Sequence, residues 1–284
     1  MLRSLFAGIS GLRANQTALD VAGNNIANAN TIGFKASTTI FQDTLSQMLT
    51  GATAANGSRG GRNPMQIGLG VQLAAIALNV GQGSAEATGR STDLMISGDG
   101  MFVTKAGGEQ LYTRAGSFTF DDAGTLVTPM GARVQGYLLD ATGAPTGGLV
   151  DMTLADANAV PAVPVGVSLK SYSIGPDGVI TGVYDDSISR QLGQLAIADF
   201  NNPMGLERVG ETSFRESQST GAAQLDVAGV GRRGNLMVGS LEMSNVDLAA
   251  EFTNLILAQR GFQASSRVIT TSDQVLEDLV NIKR

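Results

Sequence analysis

The amino-acid sequence predicts an α+β fold: long N- and C-terminal helices packed as a coiled coil, an inserted, mainly antiparallel β domain, and a small outer insert. Three observations lead to this prediction. Apolar residues recur every seven positions at both ends, short strand-like runs fill the middle, and 37 glycines accompany an aromatic content of only 5%. A seven-residue apolar repeat makes one stripe along a helix. Many glycines with few aromatics indicate short strands and turns.

The N-terminal repeat occupies the first thirty residues. Its apolar residues stand seven positions apart, with one more beside the stripe: Leu5, Leu12, Leu19, Ile26 and Ile9. The segment Asn30-Thr31-Ile32-Gly33 suits a left-handed cap, so we expect the helix to end there. Gly8, Gly11 and Gly23 each cost about 1 kcal/mol relative to Ala inside a helix. We expect the segment to become helical against a partner, the alternative being an ordinary amphipathic helix that caps a domain.

The C-terminal repeat is longer and predicts the second helix. Six apolar residues follow one another at intervals of seven: Leu241, Leu248, Leu255, Phe262, Ile269 and Leu276. The two neighbouring columns are mostly small or polar, although Phe252 and Leu279 belong to them. At about 1.5 Å per residue the helix would be about 60 Å long. It needs a partner of similar length, and the N-terminal helix is the natural one. Ser244-x-x-Asp247 fits a capping box at its start.

The body of the chain reads as β structure. Residues 93–139 and 171–240 alternate short runs of Phe, Val, Leu and Tyr with Gly- and Asp-rich turns, which is typical of antiparallel strands. Residues 140–170, rich in Ala, Gly, Pro and Val, form the small insert. Residues 1–34 and 241–284 then constitute one terminal assembly domain.

A connecting region, residues 35–92, separates the N-terminal helix from the β domain. The apolar spacing within residues 41–49 suggests a short helical turn. The stretch 51–61 (GATAANGSRGG) is a flexible linker by composition. Nothing in this region resembles a catalytic motif.

The composition excludes several classes of function. The chain contains no Cys and no His, which removes the thiolate nucleophile, the imidazole base and the ligands of most transition metals. Its formal net charge is −6 and it has no basic patch, so we expect no nucleic-acid partner. No apolar run approaches the roughly 18 residues of a membrane span. We therefore predict no enzyme, no catalytic, cofactor-binding or metal-binding residue, and no membrane insertion.

Two patterns that carry chemistry in other proteins have simpler interpretations here. Gly229-Val230-Gly231-Arg232-Arg233-Gly234 matches the dinucleotide-binding pattern, but no βαβ unit surrounds it, so we expect a turn-rich loop. The doublets Asp121-Asp122 and Asp185-Asp186 could be paired as glycosidase carboxylates. Both lie beside Gly or Ser in predicted turns, where Asp caps backbone amides, and this is the role we expect.

Four short motifs are more specific than the periodicities. Two lie in the β region, at 112–118 (YTRAGSF) and 202–206 (NPMGL). The terminal motifs include eleven positions: Asn24, Asn25, Asn28, Thr31, Gly33, Phe34, Lys35, Ser244, Asn245, Gln259 and Arg260. Together the four motifs extend over nearly the whole chain. They make the chain closely resemble the bacterial flagellar axial proteins, the family that builds the rod and the hook.

The resemblance implies a structural protein of the bacterial flagellum, in the hook and basal body, that lies outside the cell after export. Such proteins leave unfolded through the flagellar type III export apparatus, without a cleaved signal. The resemblance also implies a homo-oligomer: a helical tube around the export channel, with the terminal helices on the inner wall and the β domains outside. Further implied partners are the other axial proteins of the rod, hook cap and hook–filament junction. The apolar residues of both repeats, with Phe252 and Leu279, are the expected assembly interface.

The branch of the family is predicted from short segments. Residues 134–137, 178–184 and 192–195 resemble the hook branch, a universal joint that transmits torque from rod to filament. The short insert and the linker at 51–64 suit the distal-rod branch. We expect a hook subunit, with the distal rod as the alternative. An alternative from another functional class is a secreted β-rich adhesin or carbohydrate-binding protein with a coiled-coil stalk.

Overall fold

The computed structural model describes residues 2–55, 60–140, 142–154, 158–164, 167–186 and 188–282. The chain contains two compact units. The first, here called the helical unit, consists of Met1–Ala27, Ala36–Asn79 and Val246–Arg284; the second, the β unit, consists of Asn28–Lys35 and Val80–Asn245. The predicted α+β class, with a helix near each end of the sequence and antiparallel strands between, is confirmed.

Two antiparallel helices, α1 (Leu2–Ala27) and α2 (Leu248–Ile282), dominate the helical unit. The Oγ atoms of Ser4 and Ser272 are 3.2 Å apart near one end of the pair. Near the other end, Asn25 Nδ2 donates to Glu251 Oε1 at 3.0 Å. Each helix is therefore the neighbour of the other, as the two repeats predict. Over the described residues, neither helix combines the length and apolarity needed to cross a membrane.

The start of α2 differs from the prediction. Leu241 lies in a strand of the β unit, and the helix begins seven residues later at Leu248. Asp247 caps it, because Asp247 Oδ1 accepts hydrogen bonds from the N–H groups of Ala249 at 2.9 Å and Ala250 at 3.2 Å. The predicted capping box is wrong, since Asp247 takes the cap position instead of the third helical position.

A long two-stranded ribbon completes the helical unit. Each side of the ribbon consists of two consecutive strands. One side is β1 (Ser37–Asp43) followed by β2 (Ser46–Thr50), and the other is β3 (Met65–Gly68) followed by β4 (Val71–Leu78). β1 pairs antiparallel with β4, and β2 pairs antiparallel with β3. The helical turn predicted for residues 41–49 is wrong, because cross-strand hydrogen bonds determine the backbone there. Residues 56–59 of the predicted flexible linker lie outside the described residues.

The β unit contains the remaining strands: β5 (Ala85–Ala87), β6 (Leu94–Ser97), β7 (Met101–Ala106), β8 (Glu109–Thr113), β9 (Thr119–Phe120), β10 (Leu126–Val127), β11 (Arg133–Leu139), β12 (Pro145–Asp151), β13 (Leu169–Ile174), β14 (Val179–Tyr184), β15 (Ser189–Asp199), β16 (Glu207–Gly210), β17 (Ser213–Arg215), β18 (Gln224–Val227), β19 (Asn235–Val238) and β20 (Ser240–Glu242). Its main antiparallel sheet follows the order β13-β14-β15-β11-β7-β8-β17-β16. Short pairs β19–β6 and β20–β5 lie outside that sheet.

The core of the β unit is built around β15. This strand pairs with β14, β11, β18 and β7, and its residues from 192 to 199 are almost all buried. Leu195 and Ile197 are fully buried together with Phe102 and Phe118, whose ring centroids are 5.1 Å apart in an edge-to-face arrangement. The β structure predicted for residues 171–240 is confirmed in this strand.

The insert at 140–170 is in part an extension of the main sheet. β12 pairs antiparallel with β11, and Met152 and Ala159 contribute side chains to the core of the β unit. Residues 141, 155–157 and 165–166 lie outside the described residues. The described part of the insert therefore packs as sheet and core.

Candidate assembly surface

The apolar residues predicted to form the interface divide into a packed set and an exposed set. The packed set is half-buried: Leu5, Leu12, Leu19, Ile26, Leu255, Ile269 and Leu276. The exposed set keeps 38–51% of its accessible surface: Ile9, Leu248, Phe252 and Phe262. Leu241 is buried within the β unit. The side chain of Leu279 is not among those that the structure describes. The apolar repeats thus supply both the contact between the helices and part of their outer surface.

Two glycines allow the helices to approach each other closely. A Cβ atom added to Gly11 would lie 2.8 Å from Ser265 Oγ, and one added to Gly261 would lie 2.6 Å from Asn15 Oδ1. Both distances are shorter than real Cβ contacts, so these glycines permit the observed separation of the helices. Ala258, one turn before Gly261, is only 7% exposed. The small-residue column beside the apolar repeat of α2 therefore faces α1.

Asn25 connects both helices to the ribbon. Its side chain is completely buried. Asn25 Nδ2 donates to the Ser37 carbonyl at 2.7 Å and to Glu251 Oε1 at 3.0 Å, and Asn25 Oδ1 accepts from the Ser37 N–H at 3.0 Å. A buried amide has to satisfy its donors and acceptor within the protein, and these bonds fix the start of β1 beside the helix pair. This motif residue therefore has a structural role.

The helical unit exposes many large apolar side chains. On the ribbon, six are at least 49% exposed: Ile40, Leu45, Met48, Leu49, Met65 and Ile76. On the helices, seven reach the same level: Phe6, Phe252, Ile256, Leu257, Val275, Val280 and Ile282. A two-stranded ribbon is marginally stable unless it packs against something else, and apolar surfaces of this extent mark interaction sites. The helical unit therefore carries the candidate assembly surface.

The β unit contains a buried ionic cluster of Lys35, Arg114 and Glu242, the first two of which belong to the motifs. Lys35 Nζ lies 2.6 Å from Glu242 Oε1, and Arg114 Nη1 lies 3.3 Å from Glu242 Oε2. All three side chains are at most 7% exposed. The Gly83 N–H also donates to Glu242 Oε1 at 2.9 Å, and Lys35 Nζ donates to the Gly81 carbonyl at 2.8 Å. One carboxylate thus accompanies two buried cations.

The electrostatics of this cluster depend on Glu242. Burial lowers the pKa of Lys35, while the hydrogen bond and the charge of Glu242 act in the opposite direction. Burial likewise lowers the pKa of Arg114, and Glu242 again opposes the effect. Glu242 therefore stabilises the charged form of both cations, and the charge of Asp99 adds to this effect at Arg114.

The residues that lead to Lys35 are held in a specific turn. Asn28 Oδ1 accepts a hydrogen bond from Thr31 Oγ1 at 3.1 Å. Gly33 has a φ angle of 68°, and its N–H donates to the Glu242 carbonyl at 2.8 Å. A Cβ atom on Gly33 would lie 2.5 Å from the backbone nitrogen of Ala115. Only glycine fits this position, because it combines a left-handed backbone with direct contact to the backbone that follows β8.

Phe34 and Asn245 bring the two terminal motifs together within the β unit. The guanidinium carbon of Arg208 lies 4.8 Å from the centroid of the buried Phe34 ring. Asn245 Nδ2 donates to the Gly81 carbonyl at 2.9 Å, and the Asn245 N–H donates to the Phe34 carbonyl at 3.4 Å. Ser244 is buried next to it. These motif residues hold the fold of the β unit.

Three other motif residues lie on the outside of the helix pair. Asn24 is exposed on α1, and Gln259 and Arg260 are exposed on α2. Arg260 Nη1 donates to Gln263 Oε1 at 3.3 Å on the same helix. Exposed motif residues of this kind suit contacts with other molecules.

The patterns considered for chemistry lie in turns, as predicted. Gly229 and Gly231 have φ angles of 77° and 68°, and the last glycine of that pattern is followed by β19 instead of a helix. Asp121 and Asp186 each accept a hydrogen bond from a nearby backbone N–H, at 2.7 and 3.0 Å. In the part of the chain that the structure describes, no three His, Cys, Asp or Glu side chains are grouped to hold a metal.

Sequence reasoning did not identify Arg114 and Glu242 as an interacting pair. Each is a single charge among apolar or small neighbours, in TRA and LEM respectively. Arg and Glu are almost never fully buried unless they are paired. The sequence did contain one signal for this pair: two isolated charges of opposite sign, one in a predicted β segment and one in a predicted helix. The seven-residue repeat concealed it, because Leu241 appeared to place Glu242 on a helix.

Three protein-family models match the chain in order. They are described as flagella basal body rod protein (residues 5–35), flagellar hook protein FlgE/F/G D1 domain (residues 95–182) and flagellar basal body rod FlgEFG protein C-terminal (residues 237–282). The matches include the segments that carry Asn25, Lys35, Arg114 and Glu242. These four side chains of the buried networks therefore lie within the segments that the family models match.

Individual relatives match over the full length. The flagellar basal-body rod protein FlgG of Bacillus subtilis is 44% identical over 285 residues, covering all of both chains. FlgG of Caulobacter vibrioides is 34% identical, covering 97% of both chains. The flagellar hook protein FlgE of Borreliella burgdorferi is 30% identical over an alignment of 441 positions that includes all of both chains. The chain belongs to the flagellar rod and hook protein family.

Proposed function

We propose that this chain is a structural subunit of the distal rod in the flagellar basal body, where many copies form a helical tube. The observation that carries the proposal is its 44% identity to a FlgG rod protein along the full length. That alignment spans 285 positions, nearly the 284 residues of the chain. The sequence motifs predicted a hook subunit, with the distal rod as the alternative, and the relatives support the distal rod better.

The hook is the second candidate, and two observations weaken it. The alignment with a hook relative needs 441 positions at 30% identity, so that relative contains long segments that this chain lacks. Two of the three segments that suggested a hook, 134–137 and most of 178–184, fall inside the D1 model that hook and rod proteins share. These segments lie in β11 and β14 of the main sheet, so they report the common fold of the family.

The exposed surface of the helical unit supports assembly. A monomer gains nothing from leaving Leu45, Met48 and Leu257 in water at 83%, 58% and 64% exposure. Repetition of one chain by a screw operation buries such surfaces through heterologous contacts, which extend into an open filament when they do not close. The subunit has no need of a catalytic site in this role.

The wider context follows from the same proposal. The terminal helices contact neighbouring copies in the tube, and other rod and hook proteins contact its two ends. The chain reaches this position through the flagellar type III export apparatus. Family membership argues against the alternative of a secreted adhesin or carbohydrate-binding protein with a coiled-coil stalk.

Complementation of two Bacillus subtilis deletion strains distinguishes rod from hook. The full chain is expressed in cells that lack their own FlgG and, separately, in cells that lack their own hook protein, and basal bodies are examined by electron microscopy. We expect complete rods in the first strain and no hooks in the second. Hooks in the second strain, with no rods in the first, would overturn the assignment. A chain without α2 is the control and is expected to restore neither structure.

A further inference from the structure

One face of α1 forms an open groove with the ribbon. Phe6, Ile9 and Arg13 follow one another at helical spacing, and Leu73 of β4 lies on the opposite side of the groove. The groove has a volume of about 350 Å³. Phe6 is 66% exposed, Ile9 40% and Leu73 37%, so its apolar wall is open to solvent. A helix surface with this pattern is suited to contact another helix.

The last turns of α2 carry the complementary pattern. Ser4 on the first turn of α1 is opposite Ser272, so the two turns of α2 after residue 274 extend beyond its helical neighbour. Val275, Asp278 and Ile282 share one face there, at spacings of three and four residues. Val275 is 49% exposed and Ile282 81%. This end of α2 is an unpartnered apolar stripe with a carboxylate at its centre.

The charges of the two surfaces are opposite. The part of α1 that precedes Asp20 carries two basic residues, Arg3 and Arg13, and no acidic residue. After Arg267, the described part of α2 carries three carboxylates and no base: Asp273, Glu277 and Asp278. Among the described residues, none of these five charged groups forms a salt bridge within the chain. Among the described residues of α1 before Asp20 and of α2 after Arg267, the two surfaces therefore carry opposite charges.

We propose that the groove formed by Phe6, Ile9, Arg13 and Leu73 binds the end of α2 from a second copy of this chain, with Arg13 paired to Asp278. Placing Asp278 on Arg13 brings Val275 or Ile282, each about one turn from Asp278, against Ile9. The contact is heterologous, because the groove and the helix end are different surfaces, and it therefore propagates from subunit to subunit. This proposal rests on the proposed function and names the contact that links successive copies.

Charge exchange tests the pair directly. The full chain is purified as Arg13→Glu, as Asp278→Lys and as the double variant, and the concentration at which each begins to sediment as filaments is measured. We expect each single substitution to raise that concentration about tenfold and the double variant to restore most of the loss, because the ion pair is re-formed with reversed polarity. Circular dichroism at 222 nm confirms that every variant keeps its helices. Single variants that assemble like the unmodified chain would overturn the proposal.

Disulfide trapping provides a second measurement. Because the chain contains no Cys, only the introduced cysteines can form a disulfide. Full chains carrying Arg13→Cys and Asp278→Cys are mixed and oxidised, so a bond between positions 13 and 278 has to join two copies. A heterodimer is expected for this mixture and not when Asp278→Cys is replaced by Asp273→Cys, which lies about 140° around the helix. Filaments without the 13–278 bond would refute this contact and leave the proposed function intact. A chain that neither sediments nor forms the bond would contradict both.

Discussion

Lys35 and Glu242 are in contact inside the β unit, with Nζ and Oε1 2.6 Å apart, although 207 positions separate them in the sequence. Arg114 shares the same carboxylate. Segments from near both ends of the chain and from its middle therefore meet at one buried point. The fold of the β unit depends on the charge balance there, since a buried cation without a counter-charge is costly.

Substitution of Glu242 by Gln tests this dependence. The change keeps the shape of the side chain but leaves Lys35 and Arg114 without a negative partner, so we expect the free energy of unfolding of the β unit to fall by about 3–5 kcal/mol. Urea denaturation followed by near-ultraviolet circular dichroism measures it. Glu207→Gln, at an exposed carboxylate that pairs with Arg215, is the matched control and should change stability far less. Equal effects of the two substitutions would contradict the role of the cluster.

The glycines of the helices should respond in opposite directions to the same substitution. Gly23→Ala adds a methyl group where no atom lies within 4 Å, so we expect it to stabilise the helical unit by up to about 1 kcal/mol. Gly261→Ala brings the same gain in helix propensity but places its Cβ 2.6 Å from Asn15 Oδ1. We expect a net loss of about 1–3 kcal/mol from the resulting overpacking. Thermal unfolding at 222 nm measures both, and a stabilising Gly261→Ala would show that the helix contact is looser than described.

Asn25→Ala removes the amide that joins β1 to the helix pair. The substitution leaves Glu251 and the Ser37 backbone with buried polar atoms that lose their partner, and we expect a loss of about 1–3 kcal/mol for the helical unit. Hydrogen exchange should become faster at Ser37, whose N–H donates to Asn25 Oδ1. Asn254→Ala, at an exposed position of α2, is the control and should leave both quantities nearly unchanged. Unaltered exchange at Ser37 would contradict the role assigned to Asn25.

The β unit should lose stability in alkaline solution through Tyr112. Burial raises the pKa of its hydroxyl to about 12, with a smaller contribution from the charge of Glu216. The stabilising contribution is complete below pH 10, the ordinary pKa of tyrosine, and is lost as the pH rises through 12, because the unfolded chain releases this proton first. A shift of about two units corresponds to about 2–3 kcal/mol.

Tyr112→Phe isolates this effect. Lys35 has a lowered pKa and changes stability in the opposite direction below pH 10.5, so the quantity to follow is the difference between the variant and the unmodified chain. Urea unfolding at pH 8, 10 and 12 measures that difference. We expect it to move in favour of the variant above pH 10, and a constant difference across the three values would contradict the assignment.

The sequence predicted elements wherever local periodicity determined the structure. The seven-residue spacing from Leu5 to Ile26 identified α1, and the turn chemistry of Asp121 and Asp186 was correct because such bonds are local. The same spacing extended α2 too far, to Leu241. An apolar residue in a short strand has no feature that distinguishes it from one more residue of a helical stripe, and only the pairing of β20 with β5 decides its conformation.

The part of the candidate surface that sequence could not predict depends on long-range contacts. Residues 41–49 have helical spacing, yet β1 and β2 pair with strands at least fifteen residues away. Cross-strand partners override weak local preference. Likewise Asn25 was recognised as a motif residue, but its hydrogen bonds to Ser37 and Glu251 span 12 and 226 positions. Motifs identify which residues matter, and only the folded chain shows what they contact.

The position of Glu242 near the end of the sequence has a consequence for timing. A chain delivered with its N-terminus first presents Lys35 and Arg114 long before their shared carboxylate, which arrives when 242 of 284 residues have emerged. Until then the two cations have no partner that would let them leave water, so closure of the β unit has to wait. In a chain that emerges N-terminus first, the β unit is therefore expected to close only after most of the polypeptide has been delivered.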